Sequence, residues 1–313
     1  MNRFIFSRHI PGTADIKNSE VPIMQINQGY LQVLIASFLW GTIGAFSRWS
    51  GLAPLELSFF RLLFAVLTLS FFLPRKKEFV FFYLKDCLLI GFCGLLFAAD
   101  CLLFFHALRL TTLSNAVFPY SLQPAFVGVL TPLFLKERVE WKFILSFTLS
   151  LAGLGLLLLP SIVKLSYLDL NGLLLALTGA FFLSVITLIS RLLIMNVYRF
   201  VYYEMLIAFF CLLPFIKMDS SLVFHNWLAV ITVGVIHTAL AYVYYYEGLK
   251  KVKIQYGVTL GYFAPVFAAL AGLFLFGEAI SIFTVLGGLL IVTNGIIVVF
   301  YQTDKAKGRA TPG

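Results

Sequence analysis

Long apolar runs alternate with short polar links along the whole chain. A bilayer core about 30 Å thick takes roughly 20 apolar residues of helix. That ruler marks ten candidate spans, at 29–49, 54–73, 86–107, 112–134, 143–160, 171–191, 200–216, 226–248, 255–276 and 282–301. The runs are too long for membrane strands and lack the two-residue alternation of a barrel wall. The pattern predicts an all-α integral membrane protein of ten transmembrane helices, with no room for a soluble domain in its links.

Composition agrees. Apolar residues make up 61% of the chain and charged residues 12%, against roughly 45–50% and about 25% in soluble domains. So few charges cannot cover a water-facing surface, which excludes most cytosolic enzymes and disordered scaffolds. A net charge of +9 would suggest a nucleic-acid partner in a soluble chain. Here the basic residues stand in short groups between apolar runs, and none offers a surface that tracks phosphates. No nucleic-acid partner is expected. The four cysteines lie inside apolar runs without a C-x-x-C pair, so neither a metal site nor a disulfide framework is expected, and no cofactor.

The basic residues orient the chain. With the N-terminus in the cytoplasm, eighteen fall on that side: Arg3, Arg8, Lys17, Arg75, Lys76, Lys77, Lys85, Lys136, Arg138, Lys142, Arg191, Arg199, Lys250, Lys251, Lys253, Lys305, Lys307 and Arg309. Only Arg48, Arg109, Lys164 and Lys217 fall on the other side, and Arg61 lies within a span. This bias fits an even number of spans with both termini cytoplasmic in the plasma membrane, a bacterial inner membrane by this pattern. Residues 1–28 lack the apolar core of a signal peptide and read as a cytoplasmic tail, with Met24 a second candidate translation start. Residues 302–313 read as the other tail.

The chain also repeats itself. A shift of 143 residues lays Phe38 on Phe181 and Ser47-Arg48 on Ser190-Arg191. Further along, a shift of 141 lays Val117 on Val258, Pro124 on Pro265, Phe126 on Phe267 and Glu137 on Glu278. The repeats cover 29–160 and 161–301, five spans each. Because five is odd, the second copy must enter the membrane from the opposite side. Inverted pairs of this kind are built into many secondary transporters, with the solute site near the midplane where the halves meet.

Phe38-Leu39-Trp40-Gly41 in the first span, Phe60-Arg61-Leu62-Leu63 with Ala65 in the second, and Leu135-Lys136-Glu137-Arg138 followed by Gly153 form an ordered set. Thr238-Ala239-Leu240-Ala241-Tyr242 and Phe276-Gly277-Glu278 followed by Gly287 continue it. In these motifs the chain resembles the EamA family of the drug/metabolite transporter superfamily, over essentially all of residues 29–301. The second repeat departs in span six, where Leu183-Ser184 stands for Trp-Gly. The resemblance implies ten helices and transport of small metabolites such as amino acids or related compounds.

Ionisable groups inside spans are functional candidates. Arg61, in span two, could anchor a carboxylate with its planar fork or tie two helices together. Its repeat mate Glu204 is expected nearer the inner end of span seven, in interfacial or structural pairing. Asp100 is the deepest carboxylate and, with His237 of span eight, a candidate for proton coupling. Span four carries Asn115, Tyr120 and Gln123, with Pro119 and Pro124 as hinge candidates; span nine repeats the idea with Tyr262 and Pro265. Trp40 and Tyr244 complete the cavity candidates, Tyr244 because it shares a helical face with His237. Gly257, Gly261, Ala268 and Gly272 read as a helix-contact stripe. The tyrosine run at 242–246 reads mainly as interfacial anchoring.

No P-loop, H-E-x-x-H or G-x-S-x-G motif is present. The expected function is therefore a secondary transporter, not an enzyme. It moves a small metabolite across the membrane by alternating access, and export is one direction open to it. Its partners are a small-molecule substrate and the bilayer, and a homodimer stays open. An intramembrane lipid-modifying enzyme, or a channel or structural subunit, is the alternative.

Overall fold

The computed structural model describes residues 23–73, 84–110, 119–136, 138–162, 167–216 and 226–310, and among them every regular element is helical. In chain order these are α1 (Ile23–Ser50), α2 (Pro54–Phe72), α3 (Leu84–Leu110), α4 (Gln123–Leu135), α5 (Trp141–Ile162), α6 (Tyr167–Leu192) and α7 (Val197–Leu212). They continue as α8 (Trp227–Lys251), α9 (Ile254–Phe276) and α10 (Ile282–Ala310). Nine of the described helices are long and apolar enough to cross a membrane, and α4 is shorter at 13 residues. Much of the expected start of span four, with Asn115, lies outside the described residues.

Two helix ends overrun the apolar ruler. The first helix starts at Ile23, inside the stretch read as a tail, and α10 continues through Gln302 to Ala310. Gln, Lys and Ala keep a helix going without apolar burial. The two ends lie side by side, with the Thr303 hydroxyl donating to Asn27 Oδ1 at 2.9 Å.

Two helices change their winding. Between α-helical ends, α8 is a π-helix over Val233–Leu240. There the Thr238 hydroxyl donates to the Val233 carbonyl five residues back, at 2.8 Å. Gly234 lets this wide segment lie on α2, since a Cβ there would come 2.4 Å from Phe64 Cβ and 3.0 Å from the Arg61 carbonyl oxygen. The second case is α9, which tightens to a 3₁₀ turn at Leu260–Tyr262, just before Pro265. Proline cannot donate to the carbonyl four residues back, here that of Gly261, and one residue earlier the Ser37 hydroxyl of α1 donates to the Leu260 carbonyl at 3.0 Å. The turn also breaks the small-residue stripe: a Cβ on Gly261 would meet nothing within 4 Å, while Gly257 packs on Leu249 and Val252.

The main pairings survive exchanging each helix for the one five places on. The contact of α1 with α8 corresponds to that of α6 with α3, α1 with α9 to α6 with α4, and α2 with α8 to α7 with α3. The pairs α2–α7, α4–α9 and α5–α10 each join equivalents. Phe38 meets Phe267 edge-on at 5.2 Å, and their repeat mates Phe181 and Phe126 meet edge-on at 5.6 Å. Between α5 and α10, Gly153 lies against Gly287. Asn294, the mate of Gly153, donates to the Ser146 carbonyl and hydroxyl and to the Ser150 hydroxyl at 2.7–3.0 Å.

This crossing has no spare volume. A Cβ on Gly287 would fall 2.3 Å from the Gly153 carbonyl oxygen and 2.5 Å from the Leu157 nitrogen, both backbone atoms. We expect Gly287→Ala to destabilise the protein by about 1–3 kcal/mol. Gly44→Ala, where a Cβ would meet nothing within 4 Å, serves as the neutral control. Thermal denaturation of the detergent-solubilised variants reads both; equal midpoints would refute the close approach of α5 and α10.

Candidate functional site

The polar residues that lipid would not tolerate converge where α1, α2, α3, α7 and α8 meet. Arg61 projects from α2 and reaches Cys101 Sγ of α3 with Nη2 at 3.5 Å. Its neighbour in the chain of contacts is Asp100, also on α3, whose Oδ2 accepts from the Tyr120 hydroxyl at 3.0 Å. Across from Asp100, α6 approaches through Gly179, where a Cβ would come 2.7 Å from Asp100 Oδ1. On α7, Glu204 stands two turns beyond the Asn196 cap, whose side chain accepts from the Tyr198 nitrogen at 2.8 Å. The starting point of this helix at Val197 places Glu204 deeper than the sequence ruler did.

Aromatic rings wall the cluster. Trp40 of α1 packs on Tyr242 and Tyr245 at 5.1 and 5.0 Å. Phe97 meets Tyr242 edge-on at 5.3 Å, and Phe104 lies 4.9 Å from Tyr120. Gln123 of α4 donates to Thr187 Oγ1 at 3.1 Å and to the Tyr245 hydroxyl at 3.3 Å. The Ser184 hydroxyl donates to the Gln123 carbonyl at 3.0 Å, so the serine that stands where the first repeat has Gly41 holds α4 to α6.

Asp100 is 4% exposed and Glu204 is fully buried. Among the described residues, both Glu204 carboxylate oxygens, Asp100 Oδ1, Arg61 Nε and the Tyr246 hydroxyl have no hydrogen-bond partner. The Tyr246 hydroxyl faces Glu204 as a donor within reach of its carboxylate. Arg61, Asp100 and Glu204 all fall within electrostatic reach of Tyr242, which ties the three charges to one locality. Buried polar groups are paired in the great majority of cases, and an unpaired buried carboxylate is costly. Five such atoms in one region mark a place made for something besides packing.

The structure thus brings together Trp40, Arg61, Asp100, Tyr120 and Gln123 of the sequence candidates. It places three others elsewhere. His237 faces Thr42 Oγ1 of α1 at 3.1 Å and stacks near Phe46 at 4.7 Å. Tyr262 packs with Leu154, Leu157 and Ile291 beside α5 and α10. Tyr244 is half-buried, whereas Tyr242, Tyr245 and Tyr246 turn into the cluster. The π-helical segment takes extra residues per turn, so the seven-residue step from His237 no longer returns to the same face. Of the hinge candidates, Pro124 occupies the first turn of α4, where a missing N–H costs nothing. Pro119 accepts the turn bond from the Leu122 nitrogen at 3.1 Å, and Pro265 follows the 3₁₀ turn of α9.

Glu204 and the three tyrosines were not expected in the site. The repeat held the signal for Glu204, because it is the mate of Arg61 and the two sit on helices that pack together. The tyrosines carried no comparable sign, since their inward turn depends on the π segment. No set of three metal-ligating side chains gathers among the described residues.

Residues 27–159 and 170–301 each match the EamA-like transporter family. An uncharacterized transporter of Archaeoglobus fulgidus is 28% identical to the chain, covering 86% of it and 95% of the relative. The uncharacterized transporter YxxF of Bacillus subtilis is 23% identical, covering 90% and 93%. A solved crystal structure with 20% identity shares the fold, at a TM-score of 0.72 over 88% of this chain and 97% of that one. With both halves matched and a bundle of membrane-length helices around buried charges, the chain belongs to the EamA-like transporter family and is a multi-pass membrane transporter.

Proposed function

We propose that this protein is a secondary transporter of a small metabolite, an amino acid or a related compound, working by alternating access across the plasma membrane. In this reading the chain has ten spans in two inverted five-helix repeats, with both termini cytoplasmic. The observation that carries it is the cluster of half-buried Arg61 with the buried Asp100 and Glu204, which holds unpaired atoms between helices of both halves. The mirrored pairing of α1 with α8 and of α6 with α3 supports the inverted arrangement. Two equivalent halves can trade conformations, and the exchange opens the shared site to one face or the other.

Each residue takes a role from its contacts. Arg61 offers the remaining N–H of its fork to a solute, and Trp40 with Tyr242 provides an apolar wall. Tyr120, just before α4, and Gln123 in its first turn line the approach from that side. The turn that leads into α4 with Pro119 and Pro124, and the 3₁₀ turn of α9 before Pro265, are the places where the chain bends. Asp100 carries the coupling proton if a proton gradient drives the cycle. His237 acts at the contact of α1 with α8.

Two measurements test this reading. In proteoliposomes preloaded with unlabelled amino acids, saturable counterflow of a labelled one is expected. Arg61→Ala and Asp100→Asn should reduce it roughly tenfold or more, the scale of a lost charge-assisted hydrogen bond, and His237→Gln should leave it close to parental. A non-saturable flux would mean a pore, and an unaffected Arg61→Ala would remove the site from this cluster. Reporter fusions at either end should both report the cytoplasm, and ends on opposite sides would refute the inverted topology.

A further inference from the structure

The buried cluster is unbalanced. It holds one guanidinium, Arg61, and two carboxylates, Asp100 and Glu204. With all three ionised the locality carries one net negative charge, and an uncompensated charge out of water is strongly unfavourable. The unpaired atoms lean the same way: three are carboxylate oxygens, against one guanidinium N–H and one hydroxyl. Neither acid forms an ion pair with a basic side chain of the described residues. Both acids are more than nine-tenths buried.

A solute that completes this cluster brings a positive charge and several N–H donors. The surroundings describe its other end. Trp40, Phe97, Tyr242 and Tyr245 present ring faces and edges beside the charges. An ammonium is held well next to such rings, and an aromatic body packs among them. A solute carboxylate would add a second negative group and compete with Asp100 for Arg61. A zwitterion leaves the locality one charge short, whereas a monocation neutralises it.

We infer that the substrate of this site is a small organic cation, a primary amine on an apolar or aromatic body, with its ammonium taken between Asp100 and Glu204. The inference rests on the transporter reading above and narrows its substrate to a related compound without a free carboxylate. It also assigns Glu204 to the binding site.

Three probes with one phenyl body and different charge test it: phenethylamine, phenylalanine and 3-phenylpropionate. Equilibrium binding is measured on the full chain purified in detergent. Phenethylamine is expected to bind saturably, phenylalanine about tenfold or more weakly, and phenylpropionate not at all. Glu204→Gln keeps the side chain's shape and should weaken phenethylamine by about tenfold or more, with an unchanged thermal midpoint. Should that variant fail to fold, the three-probe comparison on the parent protein decides alone. Phenylalanine or phenylpropionate binding as tightly as phenethylamine would overturn the assignment, as would none of the three binding or Glu204→Gln binding like the parent. Saturable amino-acid counterflow alongside such a result would leave the transporter standing and remove only the cationic substrate, while absence of any counterflow would remove both.

Discussion

The structure is organised around the cost of keeping charge away from water. An ionised side chain inside a membrane is expensive enough that it persists only where it is paired or used. Nearly all of this chain's charges avoid that cost by sitting in the links. Arg61, Asp100 and Glu204 do not, and each comes from a different helix. Their meeting requires α2, α3 and α7 to pack closely. Gly94 permits it for α3 and α7, since a Cβ there would lie 2.6 Å from Ile207 Cβ and 3.1 Å from the Glu204 carbonyl oxygen. Gly234 does the same for α8 and α2. Small residues at these crossings are the price of a polar centre, because only closely packed backbones can shield charges from lipid.

The repeated architecture explains where that centre lies. Helices α2 and α7 are equivalents that pack on each other, so residues on their shared face sit near the relation that exchanges the halves. Arg61 and Glu204 hold matching positions there, and opposite charges occupy what would be one position in a symmetric ancestor of the two halves. The apolar framework keeps its symmetry in the paired phenylalanines and in the α5–α10 crossing. Chemistry is where the halves diverge, as with Trp40 against Leu183 and Gly41 against Ser184.

Much of this was legible in the sequence because lipid imposes simple rules. Length and hydropathy placed nine helices closely, and the repeat ordered them. Depth was harder. Glu204 looked interfacial because its helix was started three residues late, and the Asn196 cap that sets the start is a local hydrogen bond, not a hydropathy change. The face of α8 was harder still. A period of 3.6 aligned Tyr244 with His237, but the π segment turned Tyr242, Tyr245 and Tyr246 inward instead. That winding is fixed by Gly234 lying on α2 and by Thr238 bonding to the Val233 carbonyl, contacts that a one-dimensional pattern does not hold.

Two equal halves would give two equally favoured states, so differences between them must set the preference. One such difference lies at the helix ends, beginning where α1 starts and α10 ends. There Glu140 pairs with Lys253 and accepts from the Tyr256 hydroxyl, and Gln255 bonds to the Glu140 nitrogen and the Arg138 carbonyl. Arg191 donates to the Leu249 and Val252 carbonyls at the C-terminus of α8, where a cation also suits the helix dipole. The shift of 141 residues makes Ser281 the mate of Glu140 and Thr112 the mate of Lys253. At the opposite end the charged tie is a different one, Arg48 at the end of α1, the mate of Arg191, paired with Glu278 of the α9–α10 link. The two ends are thus tied by ion pairs between different links, α4–α5 to α8–α9 at one and the end of α1 to α9–α10 at the other, which breaks the equality of the halves away from the buried charges.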